Sequence, residues 1–197
     1  MNNDVKDFFN SIASSWNNKK DDLNKIEEIL KEVNIKVYDD VLDLGCGKGI
    51  ITPLIYKYTN KLVIGIDLSE KMIEGAKINN NDSTKYEYIV GDYIDYNFCK
   101  KFDKIIIFNA YPHFLDKKAL AKKAYNDLKE DGYLIVMHNL GKEELNGYHD
   151  NHAKKISCGL MSPKDEENEL KDYFELEKFI DESDRYLMIL RPLKKLI

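Results

Sequence analysis

The sequence predicts an α/β fold in three layers, a mostly parallel sheet of seven strands between helices, ending in an antiparallel hairpin. Short apolar runs without alternation, such as Val41–Leu44 and Val63–Ile66, read as strands buried on both faces. Segments with apolar residues at helical spacing separate them, which is the alternation of a parallel sheet with crossover helices. Near the C-terminus, Tyr173–Ile180 and Arg185–Leu190 flank Asp181-Glu182-Ser183-Asp184 and read as the hairpin.

The elements follow in order. A helix is expected from Asp4 to about Ser15, with Val5, Phe8, Phe9 and Ile12 on one face. A second should run from about Asp21 to Val33 on a stripe of Leu23, Ile26, Ile29, Leu30 and Val33. Then come a strand at 41–45, a helix near 50–58 and a strand at 62–66. Ser69 should cap the next helix, whose inward residues are Met72, Ile73 and Ala76. Strands at Tyr86–Val90 and Lys104–Phe108, a helix at Lys117–Lys129 and a strand at Gly132–Met137 complete the main sheet. With no repeat and no linker, residues 1–197 are expected to form a single domain.

Composition narrows the function. The 197 residues carry a net charge of −5, with lysines and acids interspersed, so the basic face of a nucleic-acid binder is not expected. No apolar run approaches the roughly 20 residues needed to span a membrane. The N-terminal Met-Asn-Asn-Asp-Val-Lys-Asp lacks the basic and apolar regions of a signal peptide. Cys46, Cys99 and Cys158 are scattered and odd in number, which suggests a reducing cytoplasm.

The chemistry concentrates in Asp43-x-Gly45-x-Gly47-x-Gly49, at the end of the first strand. Glycines there permit a tight turn and close approach of a ligand to the backbone. Asp67, ending the second strand, stands where a carboxylate accepts hydrogen bonds from ribose hydroxyls. A dinucleotide loop is spaced G-x-G-x-x-G and sets a pyrophosphate on a helix N-terminus. Here the glycines alternate, and Asp43 would repel a pyrophosphate but attract an ammonium. A P-loop fits worse, because Gly49 stands where Ser or Thr would hold magnesium. This charge pattern favours S-adenosylmethionine, which carries an ammonium and a sulfonium and no phosphate.

Val41-Leu-Asp-Leu-Gly-Cys-Gly-Lys-Gly49, Gly65-Ile-Asp-Leu-Ser-Glu-Lys-Met-Ile73 and Val90-Gly-Asp-Tyr93 resemble the first three motifs of class I S-adenosylmethionine-dependent methyltransferases. Phe8-Phe9 with Trp16 is similar to the start of the small UbiE-like branch, and the resemblance covers about Val5 to Gly141. It implies a Rossmann-like sandwich whose hairpin contributes the one antiparallel strand. By resemblance Asp43, Gly45, Cys46 and Gly47 lie around the methionine part of the cofactor and Asp67 holds the ribose. Asp92 would bond the adenine amino group, flanked by Leu68, Met72 and Tyr93, with Asn109 under the sulfonium-bearing chain. The segment 1–35 would supply lid helices, with Phe8, Phe9, Ile12 and Trp16 over the cofactor.

The acceptor is less legible. Asn109-Ala110-Tyr111-Pro112-His113 departs from the Asn/Asp-Pro-Pro-Tyr of amide and adenine methyltransferases, so a small-molecule acceptor is expected. Ligands of open parallel sheets bind beyond the carboxyl ends of the strands. His113 and His138 end neighbouring strands there, while His149 and His152 lie in the stretch 139–165 that should shape the acceptor pocket. His113 or His138, together with His149, is the candidate general base. A metal held by three histidines stays open as an alternative, although no His-x-x-x-His spacing supports it. An NAD-dependent oxidoreductase and a non-catalytic, metal-responsive module are the other function classes to separate. Nothing in the sequence sets the oligomeric state.

Overall fold

A computed structural model describes residues 3–16, 22–147 and 155–194. Two helices, α1 (Asn3–Ile12) and α2 (Leu23–Lys31), precede the sheet. Then follow β1 (Val41–Leu44), α3 (Thr52–Thr59), β2 (Val63–Asp67), α4 (Glu70–Asn79), β3 (Tyr86–Val90) and β4 (Phe102–Phe108). After β4 come α5 (Lys117–Asp127), β5 (Leu128–His138), α6 (Lys142–Gly147), α7 (Pro163–Leu170), β6 (Phe174–Asp181) and β7 (Tyr186–Pro192).

The strands form one seven-stranded sheet in the order β3-β2-β1-β4-β5-β7-β6. The pairs among β1 to β5 are parallel, whereas β7 runs antiparallel to both β5 and β6. β7 is therefore the antiparallel strand of the expected hairpin, slotted between β5 and β6. The chain builds outward from β1 through β2 to β3, then returns to start β4 on the other side of β1. That reversal opens a crevice at the carboxyl ends of β1 and β4.

Alternating side chains fill both faces. Leu42, Leu44, Ile105, Ile107, Leu134 and Val136 face a core closed by Leu120, Ala121 and Ala124 of α5 and Leu170 of α7. Val41, Val63, Ile106, Ile135 and Met137 face the opposite core, closed by Ile26, Ile29 and Leu30 of α2 and Ile55 of α3. Each buried leucine or isoleucine contributes about 1.5–3 kcal/mol, so the unbroken apolar runs are what commit these segments to a two-faced sheet.

Three departures have physical reasons. The fifth helix ends at Asp127 rather than Lys129, because Leu128 is already extended and pairs with Phe102 ahead of a register shift. α1 stops at Ile12 rather than Ser15; residues 13–16 continue as turns, with Ser15 Oγ donating back to the Ile12 carbonyl. α7 was not anticipated, although Ser162 caps it, Pro163 occupies its first turn, and Asp165 and Glu166 complement its N-terminus.

Among the described residues no helix is long and apolar enough to cross a membrane.

Candidate functional site

The loop after β1 is shaped by its glycines. Gly45 has φ +70°, and a Cβ there would lie 2.7 Å from the Ala110 Cβ at the end of β4. Gly47 has φ +51°, yet a Cβ on it would meet nothing within 4 Å, so its backbone opens onto the cavity below. The amides of Gly45 and Cys46 donate to the Ile66 carbonyl of β2 at 2.9 and 3.1 Å. The loop thereby lies across the ends of the first two strands.

Asp67 ties this turn to the next helix. Its carboxylate accepts from the Gly47 amide and the Ser69 amide, each at 2.8 Å. Ser69 in turn caps α4, its Oγ accepting from the Met72 amide at 3.1 Å, as the sequence had predicted. A carboxylate has about four acceptor positions, so Asp67 keeps capacity for a ligand hydroxyl. Burial pushes its pKa up, against the pull of the amides that it accepts from.

Asp43 is 1% exposed and accepts from Thr52 Oγ1 of α3 at 2.6 Å. Burial, with a smaller push from the charge of Asp67, raises its pKa to about 7. Two carboxylates whose ionisation is held back by burial would be stabilised by a bound cation. Asp92, at the end of β3, accepts from the Ile94 amide at 3.0 Å, and its carbonyl accepts from the Tyr96 amide at 3.0 Å, which closes a turn there.

These residues border one cavity of about 1770 Å³ over the carboxyl ends of β1 to β5. It includes Asp43, Gly45, Cys46, Gly47, Asp67, Leu68, Met72, Asp92, Tyr93 and Asn109, so the structure gathers the sequence-expected cofactor set in one place. Cys46 is a buried filler against Ile73, Ala76 and Tyr88. Tyr93 is 3% exposed and packs near Phe98 and under the Lys123 ammonium. Pockets for one drug-sized ligand measure roughly 300–1,000 Å³, so the cavity has room for more than one molecule.

At the other end, Asn109 has φ +52° and donates from its side-chain amide to the Asn139 Oδ1 at 2.8 Å, joining the ends of β4 and β5. His113 borders the cavity on a single 3₁₀ turn, Tyr111–His113. Its Nδ1 lies 2.7 Å from the Ile156 carbonyl, and a carbonyl only accepts, so Nδ1 carries the proton. In the neutral ring the lone pair is then on Nε2. The ring of Phe9 stands edge-on to this imidazole at 4.8 Å.

α1 reaches this position by docking on the start of α4. Asn10 accepts from Ser69 Oγ at 2.6 Å and donates to Glu70 at 3.1 Å, while Lys6 pairs with Glu70. Phe8, Phe9, Ile12 and Trp16 all border the cavity. α2 instead turns to the sheet, burying Ile26, Ile29 and Leu30 with Val33 just beyond its end, whereas Leu23 of the expected stripe is exposed.

The other histidine expectations fare differently. His138 was expected to face the reaction zone, but it is fully buried and is not part of the cavity wall. It sits opposite Tyr186 of β7, whose ring lies edge-on at 6.0 Å, because the added antiparallel strand covers this side of β5. His149 and His152 lie outside the described residues, so the expected contribution of His149 falls there too. Among the described residues no three His, Cys, Asp or Glu side chains group as a metal site.

Sequence reasoning missed Ile156, Asn139 and Asn10 as partners. Their signal is only spatial: Ile156 lies 43 residues from His113, and Asn10 lies 59 from Ser69.

A family model described as "Methyltransferase domain" matches residues 35–178, from ahead of β1 into β6. The carboxy-S-adenosyl-L-methionine synthase of Nautilia profundicola is 34% identical over 126 residues, 61% of this chain and 53% of that protein. The ubiquinone/menaquinone biosynthesis C-methyltransferase UbiE of Wigglesworthia glossinidia brevipalpis is 27% identical over 150 residues, 69% of this chain and 59% of that protein. The chain spans about half the length of the curated relatives it matches. Among solved structures, the DhpI-SAH complex superposes with a TM-score of 0.77 at 16% identity, covering 98% of this chain and 97% of that one. The glycine loop, the acid at each of the first three strand ends and the matched span together place this chain in the methyltransferase-domain family.

Proposed function

We propose that this chain transfers a methyl group from S-adenosylmethionine to a small-molecule acceptor, and that its large cavity holds donor and acceptor side by side. The observation that carries this reading is the convergence of Asp43, Asp67 and Asp92 around the alternating-glycine loop in a single cavity. In it Asp67 holds the ribose hydroxyls, Asp92 the adenine amino group, and the Gly45–Gly47 backbone the methionine end, near the buried Asp43. Leu68 and Met72 supply apolar walls for the base. The cofactor, when bound, supplies an electrophilic methyl on a sulfonium, so the protein's part is alignment, exclusion of water and removal of a proton.

His113 is the base in this reading. Its Nδ1–H bond to Ile156 directs the neutral lone pair to Nε2, in a ring that borders the cavity. α1 acts as a lid, bringing Phe9 against His113 and covering the space with apolar rings. The segment 139–165 contributes Asn139, Leu140, Glu144 and Ile156 to the acceptor end. A chamber roofed by the protein's own helix suits a small acceptor better than a protein side chain on a folded surface.

Titration calorimetry with S-adenosylmethionine and with S-adenosylhomocysteine tests the reading. One-site binding of both is expected, and NADH should give no heat. Absence of binding by either sulfur compound would overturn it. Binding of both without methyl transfer to any small molecule would favour a non-catalytic module.

A further inference from the structure

We propose that Lys117 and Glu166, which grip Tyr111 from opposite ends, are positioning residues that fix the tautomer of His113. The inference rests on the reading of His113 as the base, but it concerns groups that border neither cofactor nor acceptor.

His113 belongs to a single turn of three residues, closed by two backbone bonds, from the His113 amide to the Ala110 carbonyl and from the Phe114 amide to the Tyr111 carbonyl. Side chains and backbone from outside the turn fix its place. The Tyr111 carbonyl accepts from Lys117 Nζ at 2.5 Å, and the same ammonium lies 3.2 Å from the centre of the Tyr111 ring. The Pro112 carbonyl accepts from the Cys158 amide at 2.9 Å and from its thiol at 3.2 Å. At the far end of the ring, Tyr111 Oη donates to Glu166 at 2.9 Å. The other Glu166 oxygen accepts from the Met161 amide at 2.9 Å. Residues 156–166 are thus pinned to the turn at both ends, and Ile156, the acceptor for His113 Nδ1, lies at one end of that strap.

The charges explain why such groups are buried. Lys117 is 8% exposed, Tyr111 0% and Glu166 1%. A lone buried ion costs several kcal/mol, so an ammonium and a carboxylate on either side of one tyrosine offset each other. Glu166 gains further from the first turn of α7, where the helix N-terminus favours an anion. Burial lowers the Lys117 pKa to about 8, with the charge of Glu166 opposing the shift. An apolar set of similar volume would pack as well at less cost. Directional bonds are what the charged set adds, and they fix where the Ile156 carbonyl sits relative to the imidazole.

Nitrogen-15 NMR of histidine-labelled protein, saturated with S-adenosylhomocysteine, reads the tautomer directly. His113 in the unaltered chain is expected in the Nδ1–H form. Tyr111→Phe removes the bond to Glu166 but keeps the ring, and Lys117→Met removes the donor to the Tyr111 carbonyl. Each is expected to lower the ratio of Nδ1–H to Nε2–H at His113 by about fivefold, the worth of one ordinary hydrogen bond. Affinity for S-adenosylhomocysteine should stay within twofold of its starting value. Ile26→Val, in the opposite core, serves as a control of general loosening and should leave the ratio unchanged.

An unchanged ratio in Tyr111→Phe overturns the inference, and that variant decides the matter if Lys117→Met fails to fold. An equal change in Ile26→Val would also overturn it. Failure of the unaltered chain to bind S-adenosylhomocysteine would count against the proposed function instead, and the tautomer ratios would then be read without ligand.

Discussion

The two halves of the cavity are built by different means. At the ends of β1 to β3, each acid that borders the cavity lies at a strand end, and its partners are near in sequence. Asp67 holds Ser69, two residues on, and Gly47, twenty back; Asp43 holds Thr52, nine on. At the ends of β4 and β5 the distances along the chain are longer. Asn109 bonds Asn139, His113 bonds Ile156, and Phe9 meets His113 across about half of the chain. The first half is a local device that a short motif encodes. The second is a tertiary one, assembled from α1, a single 3₁₀ turn and the strap after α6.

Substitutions should separate the halves. The largest expected effect belongs to Asp67→Ala, which removes the anchor for two backbone amides along with the proposed ribose contact. Bonds to a charged group are worth about 1.5–3 kcal/mol each, so affinity for S-adenosylmethionine should fall at least about 100-fold by calorimetry. His113→Ala should leave that affinity within about threefold while abolishing turnover of an acceptor that must lose a proton. Equal losses of affinity in both variants would break the division into halves.

Next in size is a pH effect at Asp43. Its folded pKa of about 7 lies above the ordinary carboxylate value of 3.8, so the unfolded chain releases this proton first. The Asp43 contribution to stability therefore falls as pH rises from about 4 to 7 and is level above that, by about 4 kcal/mol in all. Asp43→Asn should flatten this part of the curve in urea denaturation and raise stability at pH 8. A bound cation favours the ionised carboxyl, so affinity for S-adenosylmethionine should increase between pH 6 and 8 with release of a proton. That rise should be absent in Asp43→Asn.

The comparison also explains what the sequence could and could not say. Seven strands, the added hairpin and the capping role of Ser69 were legible, because periodicity and caps are local. That Asp43, Asp67 and Asp92 would border one cavity with the glycine loop was legible, because the loop and the strand-end acids keep a fixed order along the chain. His138 misled for a definite reason: a position at a strand end does not say that Tyr186 of the neighbouring β7 will pack beside the side chain. Lys117 at the start of α5 and Glu166 in α7 carry no pattern that links them, and nothing short of the packed structure brings them to Tyr111. The bond between Asn10 and Ser69, which joins α1 to α4, likewise spans 59 residues and has no local signal.

A smaller effect is expected at that joint. Asn10→Ala removes the bonds to Ser69 and Glu70, worth about 1 kcal/mol together at a partly exposed site. Amide hydrogen exchange in α1 should accelerate about fivefold, with β1 to β5 unaffected. Smallest of all is Glu175→Ala, which breaks the exposed pair with Arg191 on the hairpin. It should change stability by less than about 1 kcal/mol and leave ligand binding untouched.

A crystal structure of the S-adenosylhomocysteine complex tests the central claim most directly. The expected result places the ribose hydroxyls on Asp67 and the adenine beside Asp92, with the sulfur facing a space bordered by His113 and Asn139. A ligand seated with its ribose away from Asp67, or filling the space beside His113, would contradict the assignment of one half to the donor and the other to the acceptor.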